Sequence, residues 1–105
     1  MNPRIVFITH PQEGARDFAR LLIERRVAAC CNLGAVTSIY RWEGEVHEEG
    51  EILLTVKTVV EHLPELEEIL NDHHPCDVPE CIVLEPEHVA ASYRAWLTRE
   101  VQKRP

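Results

Sequence analysis

The fold of this chain is decided by one long stretch, Val36-Thr37-Ser38-Ile39-Tyr40-Arg41-Trp42-Glu43-Gly44-Glu45-Val46, which leads to Glu51-Ile52-Leu53-Leu54-Thr55-Val56-Lys57-Thr58. Its many β-branched and aromatic residues favour strands, and alternate residues of a strand lie on opposite faces. Gly44 is placed to make the turn between the two halves. The stretch therefore predicts a long β-hairpin.

The second strand of this hairpin changes character along its length. It is polar from Val46 to Glu51 and then apolar at nearly every position from Ile52 to Val56, as is typical of a strand covered on both faces. One half is therefore expected to lie inside a sheet and the other to project from it. Because a projecting pair of strands exposes unpaired backbone groups, the pattern favours an oligomer in which another chain covers the edges.

The segments around the hairpin predict an α+β fold. In chain order we expect a central strand over 5–8, a helix from about Glu13, a strand over 27–33, the hairpin, a helix ending before Pro75, a short buried strand over 81–84 and a final helix. The first helix has an apolar stripe at Ala15, Phe18, Ala19 and Leu22. This order is that of a ferredoxin-like β-α-β-β-α-β sandwich with an extended β-hairpin and a C-terminal helix.

Composition restricts the possible functions. The 105 residues are 45% hydrophobic and suit a single domain spanning 1–105. Eleven Lys and Arg against 18 Asp and Glu give a formal charge of −7, which disfavours nucleic acid and anionic membranes as partners. The N-terminus lacks the apolar region of a signal peptide, and the four cysteines, with Cys30 and Cys31 adjacent, form no disulfide framework. We therefore expect a cytoplasmic protein.

Several motifs together resemble those of a known family. Ser38-Ile39-Tyr40-Arg41-Trp42-Glu43-Gly44 followed by Glu51-x-x-Leu54-x-x-Lys57-Thr58 resembles the signature of the CutA family of divalent-cation tolerance proteins. The other matching segments are Ala28-Ala29-Cys30-x-Asn32, His74-Pro75-x-x-x-Pro79-Glu80 and Tyr93-x-x-Trp96-Leu97, so the resemblance covers roughly the whole chain. It implies a ferredoxin-like homotrimer that takes part in the response to divalent metal ions, chiefly copper.

A candidate metal site lies where the second helix ends. His73, His74 and Cys76 bring imidazole and thiolate donors together, and such ligands suit copper or another divalent cation such as zinc. The resemblance implies a copper site made by the histidine pair and a first-strand cysteine, but this chain has Ile8 at that position, and Cys76 could replace it. The alternative is that His73 only complements the helix dipole and His74 faces solvent.

A second candidate site is an inter-subunit cleft. Its residues are Tyr40, Trp42, Glu51, Lys57, Glu80, Tyr93 and Trp96, which all lie in the motifs of the resemblance. A buried charge is costly unless it is paired, so Lys57 is expected to pair with Glu51 or Glu80. These residues could pack an interface, bind a small molecule in a signalling or adaptor protein, or support a low-turnover enzyme built on Lys57 and Glu80. Since the sequence shows no Ser/His/Asp or Cys/His/Asn arrangement and no phosphate-binding loop, we expect no enzyme.

Overall fold

An antiparallel sheet of four strands forms the centre of the computed structural model, which describes residues 1–103. The strands of this part of the chain are β1 (Pro3–His10), β2 (Cys30–Trp42), β3 (Glu45–Val59) and β4 (Ile82–Leu84), and its α-helices are α1 (Ala15–Glu24), α2 (Leu63–His73) and α3 (Ala91–Glu100). A short 3-10 turn, Val60–His62, leads into α2. The strand order in the sheet is β2-β3-β1-β4, which confirms the predicted ferredoxin-like arrangement.

The main core lies between one face of the sheet and the helices α1 and α2. It is built from Val6, Ile8, Phe18, Ala19, Leu22, Val27, Ala28, Leu54, Val56, Leu66, Ile69 and Leu70, all of which are buried. The predicted apolar stripe of the first helix is confirmed, because all four of its residues are buried. Pro64 lies in the first turn of α2, where its missing N–H costs no helical hydrogen bond.

The hairpin has a tight turn of two residues, with Trp42 opposite Glu45. Glu43 and Gly44 have φ angles of 50° and 82°, which are the left-handed conformations that a type I′ turn requires. Strand β1 pairs with β3 only as far as His10 opposite Ile52, so residues 45–51 have β2 as their one neighbour in the described chain. The prediction of a sheet-bound half and a projecting half is therefore confirmed.

The opposite face of the sheet is covered mainly at one end, by α3. There Val59 packs with Leu97 and Val101, and Trp96 and Ala29 lie against this small cluster. At the sheet edge, the residues of β4 remain uncovered in the single chain, with Ile82 49% and Leu84 41% exposed. The sheet thus has one closed face and one partly open face.

Two sequence predictions need correction. The segment 81–84 is predicted to be a buried strand, but β4 spans three residues at the sheet edge and all three are exposed. Among residues 1–103, only β1 pairs with it. The strand expected over 27–33 begins at Cys30 instead. Val27 and Ala28 are buried in the turn after α1, where their N–H groups donate to the Leu22 carbonyl. The apolar residues of 81–84 and of 27–28 did not distinguish burial in the core from pairing in the sheet. The first segment is paired but exposed, and the second is buried but lies outside a strand.

Within residues 1–103, no helix is both long and apolar enough to cross a membrane.

Candidate functional site

A cavity of about 660 Å³ lies between the projecting half of the hairpin and the 74–80 loop, the chain that follows α2. We call it the hairpin cavity. Its lining consists of Thr9, Ser38, Ile39, Tyr40, Trp42, Glu49, Glu51, His74, Pro75, Cys76, Asp77, Val78, Pro79 and Glu80. This volume is within the range of pockets that hold small organic molecules.

Strand alternation and hairpin register supply the hairpin side of the cavity. Ser38, Tyr40 and Trp42 are two residues apart on β2, so they share one face. Glu49 lies opposite Ser38, which places its carboxylate on that same face. Tyr40 and Trp42 are 38% and 42% exposed, so both aromatic rings are available to a ligand in the single chain.

His74 supports the other side of the cavity. Its Nε2 donates to the Thr9 carbonyl at 2.7 Å, and its Nδ1 accepts the backbone N–H of Cys76 at 3.1 Å. The imidazole ring lies against His10, with ring centroids 4.8 Å apart, and against Phe18 at 6.0 Å. Because both ring nitrogens are used, His74 fixes the start of the 74–80 loop to the end of β1.

The predicted metal ligands are therefore not arranged as a ready site. His74 is only 9% exposed and has no free ring nitrogen, so the alternative that it faces solvent is wrong. Cys76 lines the hairpin cavity together with His74, whereas His73 is exposed at the end of α2 and does not line it. No group of three His, Cys, Asp or Glu side chains among residues 1–103 is placed to hold a metal ion. Metal binding by these three residues would require His74 to leave its present partners.

The residues of the predicted cleft separate into two groups. Tyr40, Trp42, Glu51 and Glu80 line the hairpin cavity. The others, Lys57, Tyr93 and Trp96, lie elsewhere, at the sheet centre and on α3. Lys57 is opposite Ile5 on β1 and Cys30 on β2, and none of the ion pairs in the described residues includes it. The predicted pairing of Lys57 with Glu51 or Glu80 is thus not present in the single chain, because strand register holds Lys57 away from both.

A smaller cluster surrounds Cys30. The rings of Tyr93 and Trp96 lie 5.4 Å apart on α3. Burial, followed by the charge and the hydrogen bond of the neighbouring Cys30 thiol, raises the pKa of Tyr93 above its usual value. Cys31 points instead towards the main core, where burial raises the pKa of its thiol to about 12. The two adjacent cysteines therefore occupy opposite faces of the sheet, as predicted for a strand.

The carboxylates of the hairpin cavity affect the titration of two neighbouring groups. The Tyr40 hydroxyl donates a hydrogen bond to Glu49, and this bond is the main reason why the pKa of Tyr40 is raised to about 12. On the opposite side of the cavity, burial and then the charges of Glu51, Glu49 and Asp77 raise the pKa of the Cys76 thiol. The charges of Glu49 and Glu51 contribute to both pKa shifts, because a nearby negative charge disfavours the loss of a proton.

Sequence reasoning missed two titratable residues at or beside this site. Glu49 could have been found from the hairpin register, since it lies two residues before Glu51 on the same strand face. His10 is 3% exposed and packs against His74, although its position before Pro11 indicated only the end of a strand.

The fold and the cavity together define a class: a small ferredoxin-like α+β protein with a ligand-sized cavity beneath a projecting hairpin. Comparison with known proteins gives the particular family. A family model described as CutA1 divalent ion tolerance protein matches residues 4–100. The chain belongs to this family of divalent-cation tolerance proteins, which confirms the resemblance found in the sequence motifs.

Relatives and solved structures agree with this assignment. The divalent-cation tolerance protein CutA of Thermus thermophilus is 45% identical over 95 residues, which cover 89% of this chain and 92% of that protein. The structure of CutA from Synechococcus elongatus has a TM-score of 0.92 at 34% identity, covering 96% of this chain and 91% of that one. A CutA from Archaeoglobus fulgidus, described as periplasmic, has a TM-score of 0.92 at 27% identity, covering 95% and 99% of the two chains.

Proposed function

We propose that this protein acts as a homotrimeric, non-enzymatic binding protein in the cytoplasmic response to divalent cations, with copper as the first ion to test. Family membership supports the cation response. The single structural observation that supports assembly is the pair of uncovered regions in the single chain, the projecting half of the hairpin and the exposed edge strand β4.

The physical reason for assembly is the chemistry of these uncovered regions. On the projecting half, Ile39 and Val46 are 67% and 65% exposed, and on β4 Ile82, Val83 and Leu84 are each at least 40% exposed. Among the pairings of residues 1–103, one edge of β4 and one edge of β2 have no neighbouring strand, so their backbone N–H and C=O groups favour pairing with another chain. Contact between copies would cover both the apolar side chains and these edges.

The assembly is tested by multi-angle light scattering of the purified chain at micromolar concentration. We expect the mass of a trimer. A proline at Thr37 or Thr55 should disrupt the assembly and the hairpin together, because proline removes a backbone donor from the strand pairing. A clean monomer or dimer mass for the parent chain would contradict the proposal.

Metal binding is tested separately by titrating the apo-protein with copper and zinc. We propose His73, His74 and Cys76 as the ligands that would be recruited, because they carry the donor types that these ions prefer. Affinity should fall as pH drops through the histidine range, since only neutral imidazole binds metal. Unchanged affinity in a His73→Ala, His74→Ala double variant would place any bound metal elsewhere.

A second candidate function is the sensing of a small molecule, and the hairpin cavity favours it. The cavity has the size of an organic ligand and combines two exposed aromatic rings with polar groups. The remaining alternative, an enzyme built on Lys57 and Glu80, has less support because Glu80 lines the cavity and Lys57 does not.

A further inference from the structure

The charged side chains of the hairpin cavity are all of one sign. The lining contains the carboxylates of Glu49, Glu51, Asp77 and Glu80 and no lysine or arginine. None of these four takes part in an ion pair within residues 1–103, where the ion pairs involve Glu65, Glu85 and Glu100. A cavity with unbalanced negative charge selects positively charged ligands by electrostatic complementarity.

The cavity geometry favours an organic cation over a bare metal ion. A divalent ion needs several donors converging within about 2–2.6 Å of one point. The described residues contain no such group of three, and the cavity, at about 660 Å³, is far larger than an ion. The carboxylates are distributed over two sides of the cavity, with Glu49 and Glu51 on the hairpin and Asp77 and Glu80 on the 74–80 loop.

The aromatic side of the cavity supplies the second requirement of an organic cation. Tyr40 and Trp42 are on the same strand face and are each more than one third exposed in the single chain. The faces of tyrosine and tryptophan rings attract ammonium and guanidinium groups, with tryptophan the stronger of the two. A ligand with an apolar body could therefore lie against these rings while its charge meets the carboxylates.

We propose that the hairpin cavity binds a small organic cation of the ammonium, amidinium or guanidinium class, held between the rings of Tyr40 and Trp42 and the carboxylates of Glu51 and Asp77. This inference rests on the second candidate function, the sensing of a small molecule in this cavity, and adds the chemical class of that molecule. Lys57, whose charge would favour an anion, does not line the cavity.

The test uses three probes of nearly equal shape and different charge: benzamidine as the cation, benzamide as the neutral molecule and benzoate as the anion. Each is titrated into the assembled protein by calorimetry at low and at high salt. We expect saturable binding of benzamidine, at least about tenfold tighter than that of benzamide, and no binding of benzoate. Benzamidine binding should weaken as salt is raised, because salt screens exposed charges.

Two variants with the same change in net charge locate the site. Glu51→Gln combined with Asp77→Asn removes two cavity carboxylates and should weaken benzamidine binding about tenfold. Glu24→Gln combined with Glu68→Gln removes two exposed carboxylates outside the cavity lining and should leave binding unchanged. Asp77→Asn alone, in an exposed loop, provides a variant whose folding is not in question, and Trp42→Leu tests the aromatic contribution.

The outcomes separate the ligand class from the binding function itself. Preferred binding of benzamide or benzoate in the cavity would overturn the organic-cation proposal while leaving small-molecule sensing intact. If none of the three probes binds, the organic-cation proposal and the proposal of small-molecule sensing both fail. A segment of a second copy that filled the cavity would give this result. Benzamidine binding that is equally weakened by both double variants would also overturn the proposal, because it would reflect net charge alone.

Discussion

The two halves of the hairpin share the same strands but have different surroundings. In the sheet-bound half, β3 lies between β1 and β2, and Leu54, Val56 and Thr58 are completely buried. In the projecting half, β3 pairs only with β2, and Ile39 and Val46 are about two-thirds exposed. Continuous backbone pairing therefore extends the hairpin beyond the core, where its side chains are free to contact a ligand or another chain.

This difference separates stability from binding along a single strand. Side chains in the sheet-bound half must fit their neighbours closely, because they lie in a close-packed core. Side chains in the projecting half are available for binding, since this half contributes aromatic rings and carboxylates to the hairpin cavity. These side chains are those of Tyr40, Trp42, Glu49 and Glu51. Substitutions in the two halves should consequently affect different measurements.

The largest expected effect is on stability, from Leu54→Ala. Leu54 is fully buried among residues of β1, α1 and α2, so its truncation should lower the free energy of unfolding by about 2–5 kcal/mol. Ile39→Ala, in the projecting half, should change it by less than about 0.5 kcal/mol in the unassembled chain. Denaturant unfolding of the dissociated chain, at one protein concentration too low for assembly, measures both, and equal losses would remove the distinction between the halves.

A smaller effect is expected when a buried hydrogen bond is removed from the sheet-bound half. Thr58 Oγ1 donates to the Val27 carbonyl at 2.5 Å, and Thr58 is completely buried. Thr58→Val leaves that carbonyl without this partner and should cost about 1–3 kcal/mol. The matched variant Thr37→Val lies in the projecting half and is exposed, so it should be nearly neutral. Comparable losses in thermal unfolding would show that the buried hydrogen bond contributes little.

The turn that closes the projecting half offers changes of opposite sign. Gly44 has φ of 82°, so Gly44→Ala should destabilise the protein by about 1 kcal/mol even though the space around it is open. Glu43→Asn should stabilise it by a few tenths of a kcal/mol, up to about 0.5, because asparagine tolerates the left-handed conformation of this position better. Melting temperatures that move in the same direction for both variants would contradict the type I′ assignment.

The smallest effect is a change in titration. The pKa of the Tyr40 phenol is raised from 10.0 to about 12, and the hydrogen bond to Glu49 is the main cause, followed by burial and the charges of Glu49 and Glu51. The contribution of that bond to stability is therefore complete below pH 10 and is lost as pH rises through the folded pKa. In a Tyr93→Phe background, ultraviolet titration should show Glu49→Gln shifting the Tyr40 pKa back towards 10.0, and an unchanged curve would exclude the carboxylate as the cause.

Much of the fold was predictable because it follows from the spacing of apolar residues along the sequence. The spacing of Ala15, Phe18, Ala19 and Leu22 fixed the buried side of α1, and the change of composition at Ile52 predicted where the hairpin leaves the sheet. The exposure of β4 was not predictable. An apolar run indicates that a segment is buried in the functional protein, but it does not indicate whether the same chain or another chain buries it.

The candidate site was less predictable, since it depends on contacts between distant segments. Tyr40, Trp42, Glu51 and Glu80 were named from the motifs, yet their meeting with the 74–80 loop depends on His74, which joins that loop to β1. Lys57 belongs to the same motifs but is held at the sheet centre by its register. The motifs therefore identified several residues of the site, but they did not distinguish these from motif residues, such as Lys57, that lie in the sheet away from the cavity.

The position of β1 in the sheet has a consequence for the order of folding. Strands β2 and β3 are joined by two residues, and a hairpin of this kind forms locally within about 1–10 μs in isolation. β1 lies between β3 and β4, so it gains partners only when chain from much later in the sequence returns to it. During synthesis on the ribosome, we expect Ile5 to Ile8 to remain unpaired until the whole hairpin has emerged, which leaves this apolar run exposed to chaperones or to aggregation for longest.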